Sequence, residues 1–361
     1  MRARRLLAVV LAFACALAVS TVTRRDERAA AGPPPDRASA LAEAAGRAAV
    51  RHDFRDALRI ARQSRTLAPE ALAAYPVLVD ALVELGRYRD AERTLQRFVD
   101  LRPGLAAYTR VSYFRELCGD LRGAATALRL AVAAGGPPSQ EVAYVLSLLG
   151  SVELNRGRPG AARRAFDTAS AAAPGSVPAA AGQARLAAAT GRLGEAIRRW
   201  RRLVALRPLP EYAIALGEAE LAAGRGARGR RDLQLVRALE RLLAAKGVNA
   251  DVELSIFEAD HGDRARGVRL ARAAWAQAPS VRSADAVGWA LTRAGRPREG
   301  LRGARRALRL GSLDPPFRYH AGIAALAAGQ TGAGRRHLRL AIAHGLAVHP
   351  LHLLRAKEAL R

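Results

Sequence analysis

The 361-residue chain sets 59 basic residues against 32 acidic ones, a formal net charge of +27, and is half apolar but only 5% aromatic. Alanine and leucine supply most of the apolar fraction, which favours helices over strands because both lose little side-chain freedom in a helix. Two cysteines, Cys15 and Cys118, exclude a disulfide framework and a thiolate metal centre. All basic residues except Lys246 and Lys357 are arginine, a bias that points to GC-rich coding as one source of the charge.

The chain opens with Arg2, Arg4 and Arg5 ahead of an apolar run from Leu6 to Val22, after which Arg24 and Arg25 restore polarity. Residues 1–22 therefore read as a targeting segment. Three forms are open: a cleaved signal with Ala16-Leu17-Ala18 as the cleavage site, an uncleaved anchor, or a lipoprotein acylated at Cys15 behind the poor lipobox Ala12-Phe13-Ala14. Each places the remainder on the extracytoplasmic side, secreted or anchored to the cytoplasmic membrane. Residues 23–37, with three prolines after a glycine, read as a linker that cannot build a packed core.

From residue 38 the chain repeats itself. Gly86, Gly119, Gly157, Gly191, Gly224, Gly262, Gly295 and Gly329 recur at intervals of 33 to 38 residues, and His52 holds the equivalent place one unit earlier. Each of these positions lies between two helical apolar runs, where a residue at positive φ would end the first helix. Five residues on stands Ala57, Ala91, Ala124, Ala162, Ala196, Gly229, Gly267, Gly300 or Gly334, small enough for two helices to approach closely. Pro69, Pro103, Pro174, Pro208 and Pro279 then stop the second helix of five units. Extra residues at Ala134–Pro138, and a second helix lengthened from Arg237 to Lys246, account for the two longest intervals. Residues 349–361 should form a helix capping the open end of the array.

The unit resembles the tetratricopeptide repeat. Its best copy is Leu146, Leu149, Gly150, Ala162, Phe166, Ala169 and Pro174, with Glu153 standing where the family usually has an aromatic residue. The resemblance spans residues 38–348 and implies a bacterial all-α protein, a right-handed superhelical solenoid of about nine helix–turn–helix repeats. It also implies a protein-binding scaffold whose first helices line a concave groove and whose second helices form the outside.

Residues 13, 10, 6, 3 and 2 places before each turn position should then face the groove. They include Asp80, Glu84, Tyr113, Tyr144, Asn155, Arg185, Glu218, Trp289 and Tyr319, the candidate contacts for a peptide or protein partner, with Glu116, Glu211, Asp260, Asp285, Arg282 and Arg293 at the same positions. The groove reads as mildly acidic and spotted with aromatic residues. Arginines crowd the second helices instead (Arg163, Arg164, Arg198, Arg199, Arg201, Arg202, Arg302, Arg305, Arg306, Arg309). An anionic membrane surface or envelope polymer meeting that basic back is the alternative reading. Nucleic acid is disfavoured, because the basic stretches carry no interleaved aromatics.

No catalytic, cofactor or metal site is expected. Gly224-Arg225-Gly226-Ala227-Arg228-Gly229 matches a dinucleotide fingerprint but lacks a preceding strand. His337, His344, His349 and His352 have no i, i+4 pair or neighbouring carboxylate in sequence, and His320 is expected to pack within a first helix. Glu153, Glu220 and Glu258, each four residues before a turn glycine, are expected to pair with arginines of adjacent helices as structural links. Glycine in place of alanine at the small position of the last four units predicts a looser C-terminal half.

Overall fold

The computed structural model describes residues 36–361, and the targeting segment and most of the linker lie outside them. The described residues form nineteen α-helices and no strand. Eighteen of them pair into nine hairpins. The first four are α1 (Arg37–Val50) with α2 (Phe54–Leu67), α3 (Tyr75–Glu84) with α4 (Tyr88–Leu101), α5 (Leu105–Leu117) with α6 (Leu121–Ala133), and α7 (Gln140–Asn155) with α8 (Pro159–Ala172). The fifth to seventh are α9 (Val177–Ala189) with α10 (Leu193–Leu206), α11 (Pro210–Ala222) with α12 (Gly226–Ala245), and α13 (Asp251–His261) with α14 (Arg264–Gln277). The last two are α15 (Val281–Arg293) with α16 (Pro297–Ala307), and α17 (Pro315–Ala327) with α18 (Thr331–Ala343), followed by α19 (Pro350–Leu360). The chain is an all-α helical-repeat solenoid.

The local rules are visible at each hairpin. Gly86 sits at φ 70°, and the Arg87 N–H donates to the Leu82 carbonyl, the six-residue closure of a helix that ends in a left-handed residue. Six of the other turn glycines also have positive φ, and His52 takes the same conformation at φ 61°. Gly262 departs, with φ −136° and ψ −139°. There the turn is closed by a side chain, the Glu258 carboxylate accepting from the Asp263 N–H at 2.7 Å, so no left-handed residue is needed. Each of the five prolines follows its second helix by two residues, as its missing N–H requires.

The small positions bring the helices of each hairpin together. Ala57, Ala91, Ala124, Ala162 and Ala196 are fully buried. Phe166 shows what the spacing achieves, since its ring fills the space where side chains on Gly150 of its own hairpin and Gly182 of the next would lie. In hairpins six, eight and nine, glycine faces glycine. A Cβ on Gly229, Gly300 or Gly334 would lie 2.7, 2.7 or 3.0 Å from the backbone oxygen of Gly217, Gly288 or Gly322. Backbone-to-backbone packing there offsets part of the helix propensity that glycine gives up.

The spiral closes on itself. The tip of the first hairpin meets the loop before the seventh, where the Asn249 N–H donates to the Arg51 carbonyl at 3.3 Å and His52 Nδ1 meets the Asn249 carbonyl. The tip of the second hairpin, at Gly86, abuts Pro279; the tip of the third, at Gly119, abuts Gly311. Asn155, beside the tip of the fourth, approaches His344 and Gly345. One superhelical turn therefore takes between five and six hairpins, and the tips of the first four hairpins touch the second turn.

Candidate functional site

Seen from the inside, the first helices build two ladders of side-chain bonds. One joins neighbouring hairpins. Arg110 grips Asp80 with two bonds, Nε to Oδ1 at 2.9 Å and Nη2 to Oδ2 at 2.7 Å, and both residues are buried. Burial nevertheless raises the Asp80 carboxyl to about 6 against the pull of Arg110. Further along, the Trp289 indole N–H donates to Asp260 Oδ2 at 3.1 Å, and His320 Nδ1 lies 2.8 Å from Asp285 Oδ2. His261 Nε2 lies 2.9 Å from Glu218 Oε1. The other ladder spans a full superhelical turn. Arg282 reaches back to Glu84 at 3.6 Å while holding Glu253 at 2.8 Å, and the Val281 N–H donates to the Tyr88 hydroxyl at 2.8 Å.

In the second turn a chain segment fills the inner space. α19 does not simply continue the stack beyond hairpin nine; it packs on α11 as well as on α17 and α18. His352 of α19 stacks on Tyr319 with ring centroids 4.5 Å apart, and Arg355 comes within 3.6 Å of Asp260. Tertiary structure thus supplies the carboxylates that His320 and His352 lack in sequence, Asp285 and Asp260. Burial pushes the Asp260 carboxyl up, but His352, His320 and His261 outweigh it and hold it below the usual range. Burial drives His349 down to about 4.

The nine candidate groove residues are spread over hairpins two to nine, and several are taken up by partners within the chain. Asp80, Glu84, Glu218, Trp289 and Tyr319 are buried, and Glu84 is shared between Arg282 and the Tyr113 hydroxyl, 3.4 Å away. Tyr113, Tyr144, Asn155 and Arg185 are half-buried. Asn155 belongs to the seam between turns, while the Arg185 guanidinium lies 6.0 Å from the centroid of the Trp200 ring. Trp289 and Tyr319 adjoin each other, with ring centroids 5.6 Å apart.

Open space on the inner wall lies elsewhere, in the first turn. A cavity of about 910 Å³ is lined by the starts of α1, α3 and α5, the end of α4 and the loop entering α7. Leu72, Val77, Phe98 and Leu105 give it an apolar wall, with Glu43, Glu141 and Arg102 among its polar residues. None of the nine candidates lines it. Its lining includes Ser39, Ala42, Ala73, Pro76 and Ala106, which stand thirteen or ten residues before their turn positions, two of the five offsets expected to face the groove. Of the candidates nearer the turn, Asp80, Glu218 and Trp289 are covered by neighbouring hairpins and Glu84 by the next superhelical turn, which single-repeat spacing does not reveal.

The three expected carboxylate links are present. Glu153 takes Arg129 at 2.6 Å and Arg156 at 2.9 Å, Glu220 takes Arg201 and Arg225, and Glu258 takes Arg266 at 2.6 Å and Arg237 at 3.3 Å. All three carboxylates are buried, so each arginine pair stitches a first helix to the outer layer.

No protein-family model matches the chain, and no curated protein sequence does. Solved structures do. Human IFIT1, determined as a dimer with PPP-AAAA, aligns over 85% of this chain and 72% of its own at 12% identity, with a TM-score of 0.52. PilW, a type IV pilus biogenesis factor, aligns over 58% of this chain and 99% of its own at 18% identity and a TM-score of 0.47. The Cut9–Hcn1 structure aligns over 89% of this chain at 19% identity and a TM-score of 0.37, and the alignment spans only 55% of that longer partner. At these identities the similarity concerns the fold, a tetratricopeptide-type helical-repeat solenoid.

Proposed function

We propose that this chain is a non-catalytic protein-interaction scaffold that holds a segment of a partner protein in the cavity of its first superhelical turn. The observation that carries the reading is the contrast along the inner wall. In the second turn the wall is consumed by its own ion pairs and by α19, whereas the first turn keeps a cavity of about 910 Å³. That volume suits several side chains of a bound segment. Its apolar wall favours a segment with aliphatic or aromatic anchors. We place the scaffold on the extracytoplasmic side of a bacterial membrane, on the strength of the basic and apolar pattern of residues 1–22.

Peptides selected from a random library on the immobilised full chain provide the test. The expected consensus carries aliphatic or aromatic anchors. Ala73→Trp, which fills the cavity from an exposed lining position, should weaken binding at least tenfold, while Ala327→Trp at the outer tip of hairpin nine should leave it unchanged. Equal binding by both variants would place the site outside the cavity. Cell fractionation that finds the chain in the cytosol would refute the location.

A further inference from the structure

Among the second helices, α12 stands apart in its length and in what it shows to solvent. It runs 20 residues against 13 for α11, so its last turns project past its hairpin partner. Gly229, Leu233, Val236 and Leu243 form its buried side. At about 100° per residue, Leu235, Ala238, Leu242 and Ala245 make a second stripe on the far side. Leu235 and Leu242 are 44% and 51% exposed, and exposed Arg228, Arg231 and Arg241 flank them. The two acidic residues of the helix, Asp232 and Glu240, fall outside the stripe, and Glu240 is held by Arg266.

We propose that this face of α12 docks on an anionic lipid bilayer. A helix with a leucine stripe bordered by arginines lies in the interface plane, its apolar side chains entering the acyl boundary while the guanidinium groups meet phosphates. The leucines decide between lipid and a soluble polyanion, because a polymer would satisfy the arginines and leave Leu235 and Leu242 in water. The placement also fits the start of the array. The loop after α12 touches the end of α1 through Asn249 and Arg51. α1 then runs 14 residues, about 20 Å, back to Arg37, so the described chain begins roughly one helix length from the end of α12, and the sequence before it carries the apolar run of residues 6–22.

The experiment uses the full chain with Cys15→Ala and Cys118→Ala, and an environment-sensitive nitrobenzoxadiazole dye on Ala238→Cys. Vesicles of phosphatidylcholine with 30% phosphatidylglycerol should shift the emission to the blue, and pure phosphatidylcholine vesicles should not. Leu235→Ser with Leu242→Ser should raise the lipid needed for half the shift about tenfold. Arg228→Gln, Arg231→Gln and Arg241→Gln together should abolish its salt dependence. The same blue shift with dissolved polyglutamate, or a serine variant that responds like the parent, would mean charge-only adhesion and overturn the proposal. So would no shift with anionic vesicles.

Discussion

Two turn glycines with the same local conformation allow the contact between superhelical turns to be weighed by itself. Gly86 and Gly295 both end first helices, at φ 70° and 79°. Nothing lies within 4 Å of a Cβ placed on Gly295, so Gly295→Ala should cost only the left-handed conformation, about 1 kcal/mol. A Cβ on Gly86 would overlap the Pro279 carbonyl oxygen, and a backbone group held between two helices cannot swing aside as a side chain can. The seam must part there. What is then lost includes the bond from the Val281 N–H to the Tyr88 hydroxyl and the Arg309 guanidinium 5.2 Å from the Tyr88 ring centroid. These are worth about 1 and about 0.5–1 kcal/mol, before the apolar burial of Tyr88 and Val281 is counted. Gly86→Ala should therefore cost about 3 kcal/mol, roughly threefold more than Gly295→Ala. Urea unfolding followed by circular dichroism measures the difference, and small-angle scattering should show a larger radius for Gly86→Ala alone. Equal losses, within about 0.5 kcal/mol, would show that the two turns do not support each other. The same seam predicts one cooperative transition, where an open solenoid with only neighbour contacts would melt in stages.

Breaking the buried Asp80–Arg110 pair by Asp80→Ala should destabilise the chain by about 3–5 kcal/mol, and Asp80→Leu with Arg110→Met by much less, read from the same unfolding curves. Glu116 and Asp314, raised by burial to about 8 and about 6, give stability a definite pH slope. The folded chain keeps protons that the unfolded chain releases, so this contribution is complete below the unfolded values and is lost as pH rises through the folded ones. Wild-type stability should therefore fall between about pH 4.5 and 8 more steeply than that of Glu116→Gln, and parallel profiles would refute the assignment. Hydrogen exchange compares the halves of the array: faster exchange in α15 to α18 than in α1 to α8 is expected from the glycines, and equal protection would show that their close backbone packing compensates in full.

The repeat was legible because it rests on local requirements. Left-handed Gly86, methyl-sized Ala162 and helix-stopping Pro174 each follow from the geometry of one hairpin, which reads the same wherever the hairpin sits. The partners of Glu153, Glu220 and Glu258 were legible for the same reason, since one repeat places an arginine beside each. Spacing also nominates positions for a groove, but a position on a first helix is not thereby free. Whether Glu84 meets a ligand or Arg282 depends on how many hairpins complete a turn, and that number is set by small packing angles summed over five or six units. The seam at Asn155, the passage of α19 to α11 and Asp260, and the cavity left at Leu72 and Leu105 all follow from that sum. Only the tertiary structure evaluates it, because each angle depends on how facing side chains such as Phe166, Gly150 and Gly182 interlock.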